Sequence, residues 1–76
     1  MPYDEILYST TGPVGYLTLN NPEKINALSK NMIGEIIHAL DAIAEDESIK
    51  VLVIRGAGEH FCAGHYLMEM IHCFPI

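Results

Sequence analysis

Two short stretches near the start of the chain have the composition of β-strands. Residues 6–9 are apolar enough for a first strand, and in Val14–Leu19 alternate positions fall on opposite faces. Thr11-Gly12-Pro13 between them is typical of a turn, because glycine tolerates a positive φ and proline fixes its own. Pro22 cannot donate to a strand ladder and ends the second stretch. The pattern predicts a β-hairpin.

An amphipathic helix is predicted to follow the hairpin. Ser29 is a suitable N-cap, because its hydroxyl can accept a hydrogen bond from an N–H group of the first turn. Apolar residues then recur at spacings of three and four, which places one stripe along about four turns. Glu35, Asp41 and Glu45 fall off this stripe and are expected to face solvent. The stripe consists of Met32, Ile36, Ile37, Leu40, Ile43 and Ala44.

A third strand is predicted at residues 51–54, a continuous Val-Leu-Val-Ile run between Lys50 and Arg55. Such a run is typical of a strand that is buried on both faces. A helix followed by a strand of this kind indicates a β-α-β crossover. The predicted fold class is therefore α/β, with layered architecture.

The composition limits the classes of partner. A chain of 76 residues, half of them apolar, is one small domain and not a disordered tail. Ten acidic and four basic residues give a net charge of −6, which argues against nucleic-acid binding. No apolar run approaches the roughly 20 residues of a membrane span, and the first ten residues lack the basic region of a signal peptide. We expect a cytoplasmic protein, without a membrane partner, whose Cys62 and Cys73 are reduced thiols.

Residues 56–67 carry most of the candidate chemistry, because they leave a strand, turn through glycines and enter an apolar segment that could be helical. Gly56-x-Gly58 lacks the third glycine of a dinucleotide fingerprint, and the Gly-Lys-Ser/Thr end of a P-loop is missing too. A nucleophilic Cys62 paired with a histidine would lack a third group to orient the base. The possible metal ligands follow no known finger spacing, so no metal site is predicted. They are His60, Cys62, His65, His72 and Cys73.

A site built from the backbone fits this stretch better, and a plain tight turn is the alternative. Ala63 and Gly64 are small, so an acyl group could lie against the main chain. The first N–H groups of a following helix have no intrahelical acceptor and lie at its positive end. They could therefore stabilise a developing oxyanion.

Two blocks of the sequence resemble the enoyl-CoA hydratase/isomerase (crotonase) superfamily. The first block, residues 20–29, reads NNPEKINALS and is similar to that family's N-x-P-x-x-x-N-A-L pattern. The second block, residues 56–67, reads GAGEHFCAGHYL and is similar to G-x-G-x-x-F-x-A-G-x-D-L. The helix and strand between them match as well. The resemblance covers residues 3–70 and implies a crotonase-like β-β-α spiral, of which residues 1–76 would be an incomplete N-terminal part that binds acyl-CoA.

The resemblance also implies roles for single residues. The backbone N–H of His65 would be one of two oxyanion-hole donors that polarise a thioester carbonyl and stabilise an enolate. Lys24 and Ile25 would help to hold the nucleotide end of coenzyme A, although an ordinary exposed lysine is the alternative for Lys24. Ala63 would lie beside the adenine and pantetheine arm. The implied binding set is Lys24, Ile25, Ala63, Gly64, His65, Tyr66 and Leu67.

The activity that the resemblance implies is acyl-CoA thioester chemistry, most simply hydration of a 2-enoyl-CoA to a 3-hydroxyacyl-CoA. It implies no cofactor apart from the coenzyme A of the substrate, and a homo-oligomer (trimer or hexamer). Tyr66 replaces the aspartate of many members, so aroyl-CoA dehalogenation, thioester hydrolysis and isomerisation stay open. Glu59 and Glu69 do not match the catalytic glutamates, and the second oxyanion glycine would follow Ile76. We expect the chain alone to be inactive. The non-catalytic alternative is self-association, in which the apolar residues 70–76 and the apolar stripe of the helix pack against copies of the chain.

Overall fold

The computed structural model describes residues 3–64 of the chain. These residues form strand β1 (Ile6–Thr11), strand β2 (Val14–Leu19), a 3₁₀ turn (Pro22–Lys24), helix α1 (Lys30–Ala44) and strand β3 (Val51–Gly56). No helix within these residues has the length and apolarity needed to cross a membrane. The predicted helix after Gly64 and the apolar segment 70–76 lie outside the described residues.

The predicted hairpin is confirmed. β1 and β2 pair antiparallel from Ile6 opposite Leu19 to Thr11 opposite Val14. Gly12, with a φ of 57°, takes the left-handed conformation in the connection. β1 continues to Thr11 rather than ending at residue 9, because its β-branched threonines extend the ladder up to the turn.

The predicted crossover is confirmed too. β3 pairs with β2 in parallel, from Val14 opposite Val51 to Leu19 opposite Gly56, and α1 makes the connection. The strand order is β1-β2-β3, so β2 lies in the middle of the described sheet. A parallel pair of neighbouring strands needs a long connection of this kind, which the helix provides.

One face of the sheet carries the core. Ile6, Leu17 and Leu19 are buried there together with Met32 and Ala39 of α1. The predicted N-cap is also confirmed, since the Ser29 Oγ accepts a 3.0 Å hydrogen bond from the Met32 N–H. The cap and the core therefore fix the start of the helix against the hairpin.

The predicted helix stripe is partly wrong. Ile36 and Ile43 pack against the core with Met32, but Ile37 is 55% exposed, and Leu40 and Ala44 are also exposed. Ile37, Leu40 and Ala44 are rotated by roughly 70–130° from the centre of the buried positions at 100° per residue. The buried face is narrower than predicted, and small Ala39 completes it.

The prediction that Glu35 faces solvent is wrong as well. Its side chain is half-buried, and its two carboxylate oxygens accept hydrogen bonds from the backbone N–H groups of Asp4 and Glu5, each at 2.8 Å. The Ser29 Oγ in turn donates to the Glu5 carboxylate at 2.6 Å. These bonds attach the residues before β1 to α1. Asp41 and Glu45 are exposed, as predicted.

Burial of both faces of β3 is contradicted within residues 3–64. Val51 is 54% exposed and Ile54 is 47% exposed, while Leu52 is partly buried against the core. β3 has one strand neighbour in this part of the chain, and α1 packs mainly against β1. A run of β-branched residues indicates a strand, but its type alone does not determine which faces are buried, because burial depends on what packs against the strand.

Candidate functional site

The two sequence blocks meet at one edge of the sheet. β2 and β3 run parallel with Leu19 opposite Gly56, so the residues that follow each strand leave the sheet side by side. The Ala57 N–H donates a 2.8 Å hydrogen bond to the Leu19 carbonyl oxygen at this point. We refer below to residues 21–27 as the first-block turn and to residues 57–64 as the second-block loop.

Asn26 joins the turn to the loop. Its side chain is fully buried, and its Nδ2 donates to the carbonyl oxygens of Ala57 at 2.9 Å and His60 at 2.8 Å. Its Oδ1 accepts a 2.8 Å hydrogen bond from the Asn21 N–H. Both amide hydrogens and the amide oxygen thus have partners, as a buried polar group requires.

The first-block turn holds Lys24 and Ile25 at the surface. Pro22 begins the 3₁₀ turn, and the Ile25 N–H closes it on the Pro22 carbonyl oxygen at 3.0 Å. Ile25 (φ 55°) and Asn26 (φ 53°) both have left-handed backbone conformations. Asparagine tolerates this region, but a β-branched isoleucine there is an outlier. Such strain costs about 1–3 kcal/mol per residue and is typical of functional sites.

The second-block loop folds back on the end of β3. A Cβ added to Gly56 would collide with the carbonyl oxygens of His60 and Phe61. Glycine is therefore required at this position by the close approach of the loop. Gly58, with a φ of 79°, makes the reversal itself. The predicted glycine turn after the strand is confirmed.

A further hydrogen bond joins the two blocks at Gly64. The Leu28 N–H donates to the Gly64 carbonyl oxygen at 2.7 Å. The Gly64 N–H donates to the Sγ of Cys62 at 3.3 Å, and Cys62 is a partly buried free thiol. Gly64 has a φ of 99°, a conformation that side chains rarely adopt. The carbonyl oxygen and the N–H of Gly64 therefore both have hydrogen-bond partners.

The structure brings several predicted binding residues close to this junction and leaves others undescribed. Lys24 and Ile25 are exposed on the turn, while Ala63 is exposed and Gly64 half-buried on the loop. The other predicted residues, among them the oxyanion donor, lie outside the described residues, so their roles stay predictions. They are His65, Tyr66 and Leu67.

Sequence analysis missed the residue that organises the junction. Asn26 belongs to the first block, but the block pattern by itself predicts no role for its side chain. Its signal was a polar residue between apolar Ile25 and Ala27, and a polar residue in such a place is buried only with partners. The two carbonyl oxygens that accept from its side chain lie more than 30 residues away and cannot be identified from local sequence.

Neither of two cavities in residues 3–64 is lined by the turn or the loop. One, of about 190 Å³, lies between β1 and α1 and is lined in part by Tyr8 and Ala39. The other, of about 550 Å³, lies where α1 connects to β3 and is lined in part by Glu47 and Lys50. Within the same residues no group of three or more His, Cys, Asp or Glu side chains could hold a metal ion. The described part of the candidate site consists of the two joined loops, on which Lys24, Ile25 and Ala63 are exposed.

The chain is similar in sequence to known proteins. A family model described as enoyl-CoA hydratase/isomerase matches residues 9–75. The chain is 37% identical over 70 residues to a probable enoyl-CoA hydratase of Rhizobium meliloti, covering 92% of this chain and 27% of that protein. It is 43% identical over 61 residues to the mitochondrial 3-hydroxyisobutyryl-CoA hydrolase of Danio rerio, covering 79% of this chain and 16% of that protein. The chain thus spans about a sixth to a quarter of the length of these relatives.

A solved structure has a similar fold. The crystal structure of an enoyl-CoA hydratase/isomerase from Xanthobacter autotrophicus Py2 matches with a TM-score of 0.88 and 42% identity, over 95% of this chain and 27% of that one. This match confirms the crotonase-like α/β fold that the two blocks implied. With the family model matching most of the chain and the backbone superposing on a solved member, the chain belongs to the enoyl-CoA hydratase/isomerase (crotonase) family.

Proposed function

We propose that this protein takes part in chemistry on acyl-CoA thioesters, with hydration of a 2-enoyl-CoA as the reaction. The first-block turn would hold the nucleotide end of coenzyme A through Lys24 and Ile25. The second-block loop would receive the thioester at Ala63 and Gly64. The observation that carries the proposal is the junction itself, because Asn26 and Leu28 hold the turn and the loop side by side.

The chemistry of hydration explains why backbone groups suit the loop. Water adds to C3 and gives up one proton, the π pair of the C2=C3 bond forms the C1=C2 bond of an enolate, and the carbonyl π pair moves onto the thioester oxygen. C2 then takes up a proton, so that the elements of water are added across the double bond. Preorganised N–H donors stabilise that oxygen more in the transition state than in the substrate. We assign one such donor to the His65 N–H and assign proton transfer to no residue of this chain.

The charge distribution supports a role for Lys24. The chain carries a net charge of −6, which disfavours an anionic ligand in general. Lys24 places an exposed cation on the turn that is proposed to meet the phosphates of coenzyme A. A local cation on an acidic protein attracts such a ligand to one place on the surface.

Thioester hydrolysis is the second candidate. The 43% identity to the Danio rerio hydrolase over 61 residues favours it. The two reactions share an oxyanion at the thioester carbonyl, but hydrolysis releases free coenzyme A thiol and hydration retains the thioester. Measuring the released thiol together with the loss of enoyl-thioester absorbance therefore distinguishes the two reactions.

Binding of butyryl-CoA, a saturated thioester, tests the proposal by titration calorimetry. We expect the chain to bind it, and Lys24→Ala to weaken binding about two- to fivefold through the loss of one exposed charge. Lys50→Ala is the matched control, because Lys50 is also exposed but lies before β3, at the other end of the sheet. Absence of binding, or equal losses in the two variants, would contradict the proposal.

Turnover is expected to be very slow for the 76-residue chain. One missing oxyanion donor costs on the order of 10²–10³ in rate, and missing acid–base groups cost roughly a further 10²–10⁴. Rapid hydration of a 2-enoyl-CoA by this chain would contradict the assignment of roles.

The proposal also includes a cytoplasmic location, no cofactor beyond the coenzyme A of the substrate, and a homo-oligomer that sedimentation would detect.

A further inference from the structure

We propose that Asn26 is a positioning residue that couples the first-block turn to the second-block loop, so that the two ends of a bound acyl-CoA are held in a fixed relation. The inference rests on the proposed function for the identity of the ligand. Asn26 is fully buried, so it acts through the backbone that it binds and does not touch the substrate.

The hydrogen bonds of Asn26 separate this role from simple closure of a turn. The Asn26 N–H reaches the Asn21 carbonyl oxygen at 2.9 Å, and the Ala27 N–H reaches that of Lys24 at 3.0 Å. These two backbone bonds close the turn, and the Asn26 Oδ1 adds a bond from the Asn21 N–H within it. The side-chain donors of Asn26 are directed instead to Ala57 and His60.

The strained backbone beside Asn26 is a second observation. Ile25 has a φ of 55° although its branched Cβ disfavours that region, and its side chain is 46% exposed. A strained conformation persists when the surrounding structure holds it, and such residues cluster at active sites, ligand-binding segments and switch regions. The side-chain bonds of Asn26, the next residue, supply that support. Ile25 is thus presented at the surface by the link to the loop.

The loop side of the junction is equally constrained. The His60 carbonyl oxygen accepts from Asn26 Nδ2 at 2.8 Å and also lies where a side chain on Gly56 would be. Farther along the loop, the Gly64 carbonyl oxygen accepts from the N–H of Leu28, two residues after Asn26. Among residues 3–64, three hydrogen bonds join the blocks, from Asn26 to Ala57, from Asn26 to His60 and from Leu28 to Gly64. A shift of the turn moves the loop with it.

The first test uses the unmodified protein. Hydrogen exchange of side-chain amides, followed by NMR, should show the Asn26 NH₂ protected at least tenfold relative to the exposed Asn31 NH₂. Asn31 is a matched internal control on the same chain. Equal exchange rates for the two amides would overturn the proposal without any variant.

The second test uses Asn26→Asp, which keeps an acceptor for the Asn21 N–H and removes both donors to the loop. We expect the Leu28 N–H to lose about tenfold in protection, while the Asn21 N–H keeps its own. Ala39→Gly, a helix-interior change outside the junction, is the control for a general loss of stability. Unchanged exchange at Leu28, or an equal change in Ala39→Gly, would overturn the proposal.

A third measurement, made with a ligand added, distinguishes failure of this inference from failure of the proposed function. Adenosine 3′,5′-bisphosphate, the nucleotide end of coenzyme A, should raise the protection of the Leu28 N–H in the unmodified chain. In Asn26→Asp it should perturb the turn amides only. If the probe perturbs no amide, the proposed function fails while exchange in the free protein still decides the role of Asn26. If it perturbs both loops in Asn26→Asp as in the unmodified chain, the coupling is overturned.

Discussion

The side-chain amide of Asn26 donates a 2.8 Å hydrogen bond to the carbonyl oxygen of His60, a residue 34 positions later in the chain. The Asn26 side chain is fully buried, whereas His60 is exposed. One interior side chain thus determines where an exposed loop lies. The residues proposed to meet the two ends of an acyl-CoA form one unit for that reason.

Replacing Ile25 with glycine should stabilise the fold and weaken ligand binding. Glycine takes a φ of 55° without steric cost, so the free energy of unfolding should rise by about 0.5–1 kcal/mol in urea titrations. Loss of the exposed side chain should reduce affinity for butyryl-CoA. Ile37→Gly is the matched control, since Ile37 is exposed on a right-handed helix and should lose about 1 kcal/mol. A loss of stability in Ile25→Gly would show that no strain is stored there.

Two glycines should respond in opposite directions to replacement by alanine. Gly56→Ala forces a Cβ into the His60 and Phe61 carbonyls and should cost about 1–3 kcal/mol of unfolding free energy or more. Gly34→Ala places its Cβ in open space on α1 and should gain up to about 1 kcal/mol. Thermal and urea unfolding measure both changes. An unchanged free energy of unfolding in Gly56→Ala would show that the loop does not approach Gly56 so closely.

Removing the Ser29 hydroxyl should weaken the start of α1. Ser29→Ala loses the cap to the Met32 N–H and the hydrogen bond to Glu5, at a cost of about 1–2 kcal/mol. Ser29→Thr keeps a hydroxyl and should retain most of the stability. Equal unfolding midpoints for the alanine variant and the original chain would exclude a role for the cap.

The Asp46 carboxyl provides a pH-dependent prediction. Hydrogen bonds from the Ser48 side chain and backbone N–H lower the pKa of Asp46 below its ordinary value. A lowered pKa in the folded state adds stability that is present above the ordinary pKa and is lost as pH falls through the folded value. In Ser48→Ala, an NMR titration should find the pKa of Asp46 closer to its ordinary value. A pKa that stays as low as before would contradict this cause.

The elements that sequence predicted well depend on neighbouring residues. The turn at Gly12 and the cap at Ser29 each act within a few positions, and both are present as expected. The crossover followed from the order of helix and strand. Local propensity is sufficient for such features, since their partners are near in sequence.

The elements that sequence predicted poorly depend on distant partners. A Cβ on Gly15 would meet the Tyr8 ring of the neighbouring strand, and no local pattern indicates this contact. Ile54 looks like a core residue by type, but its exposure depends on which elements cover β3. The role of Asn26 likewise required the positions of Ala57 and His60. Tertiary contacts decided each of these cases.

The parallel pairing of β2 and β3 has a consequence for the variation that this site can tolerate. The turn and the loop leave from paired residues, Leu19 and Gly56, so their spacing depends on strand register and not on the length of the connection between the strands. Insertions at exposed residues 45–48, after α1, should leave the site unchanged. A single residue inserted into β2 or β3 would shift the register, reverse the faces of the strand and move Asn26 away from His60.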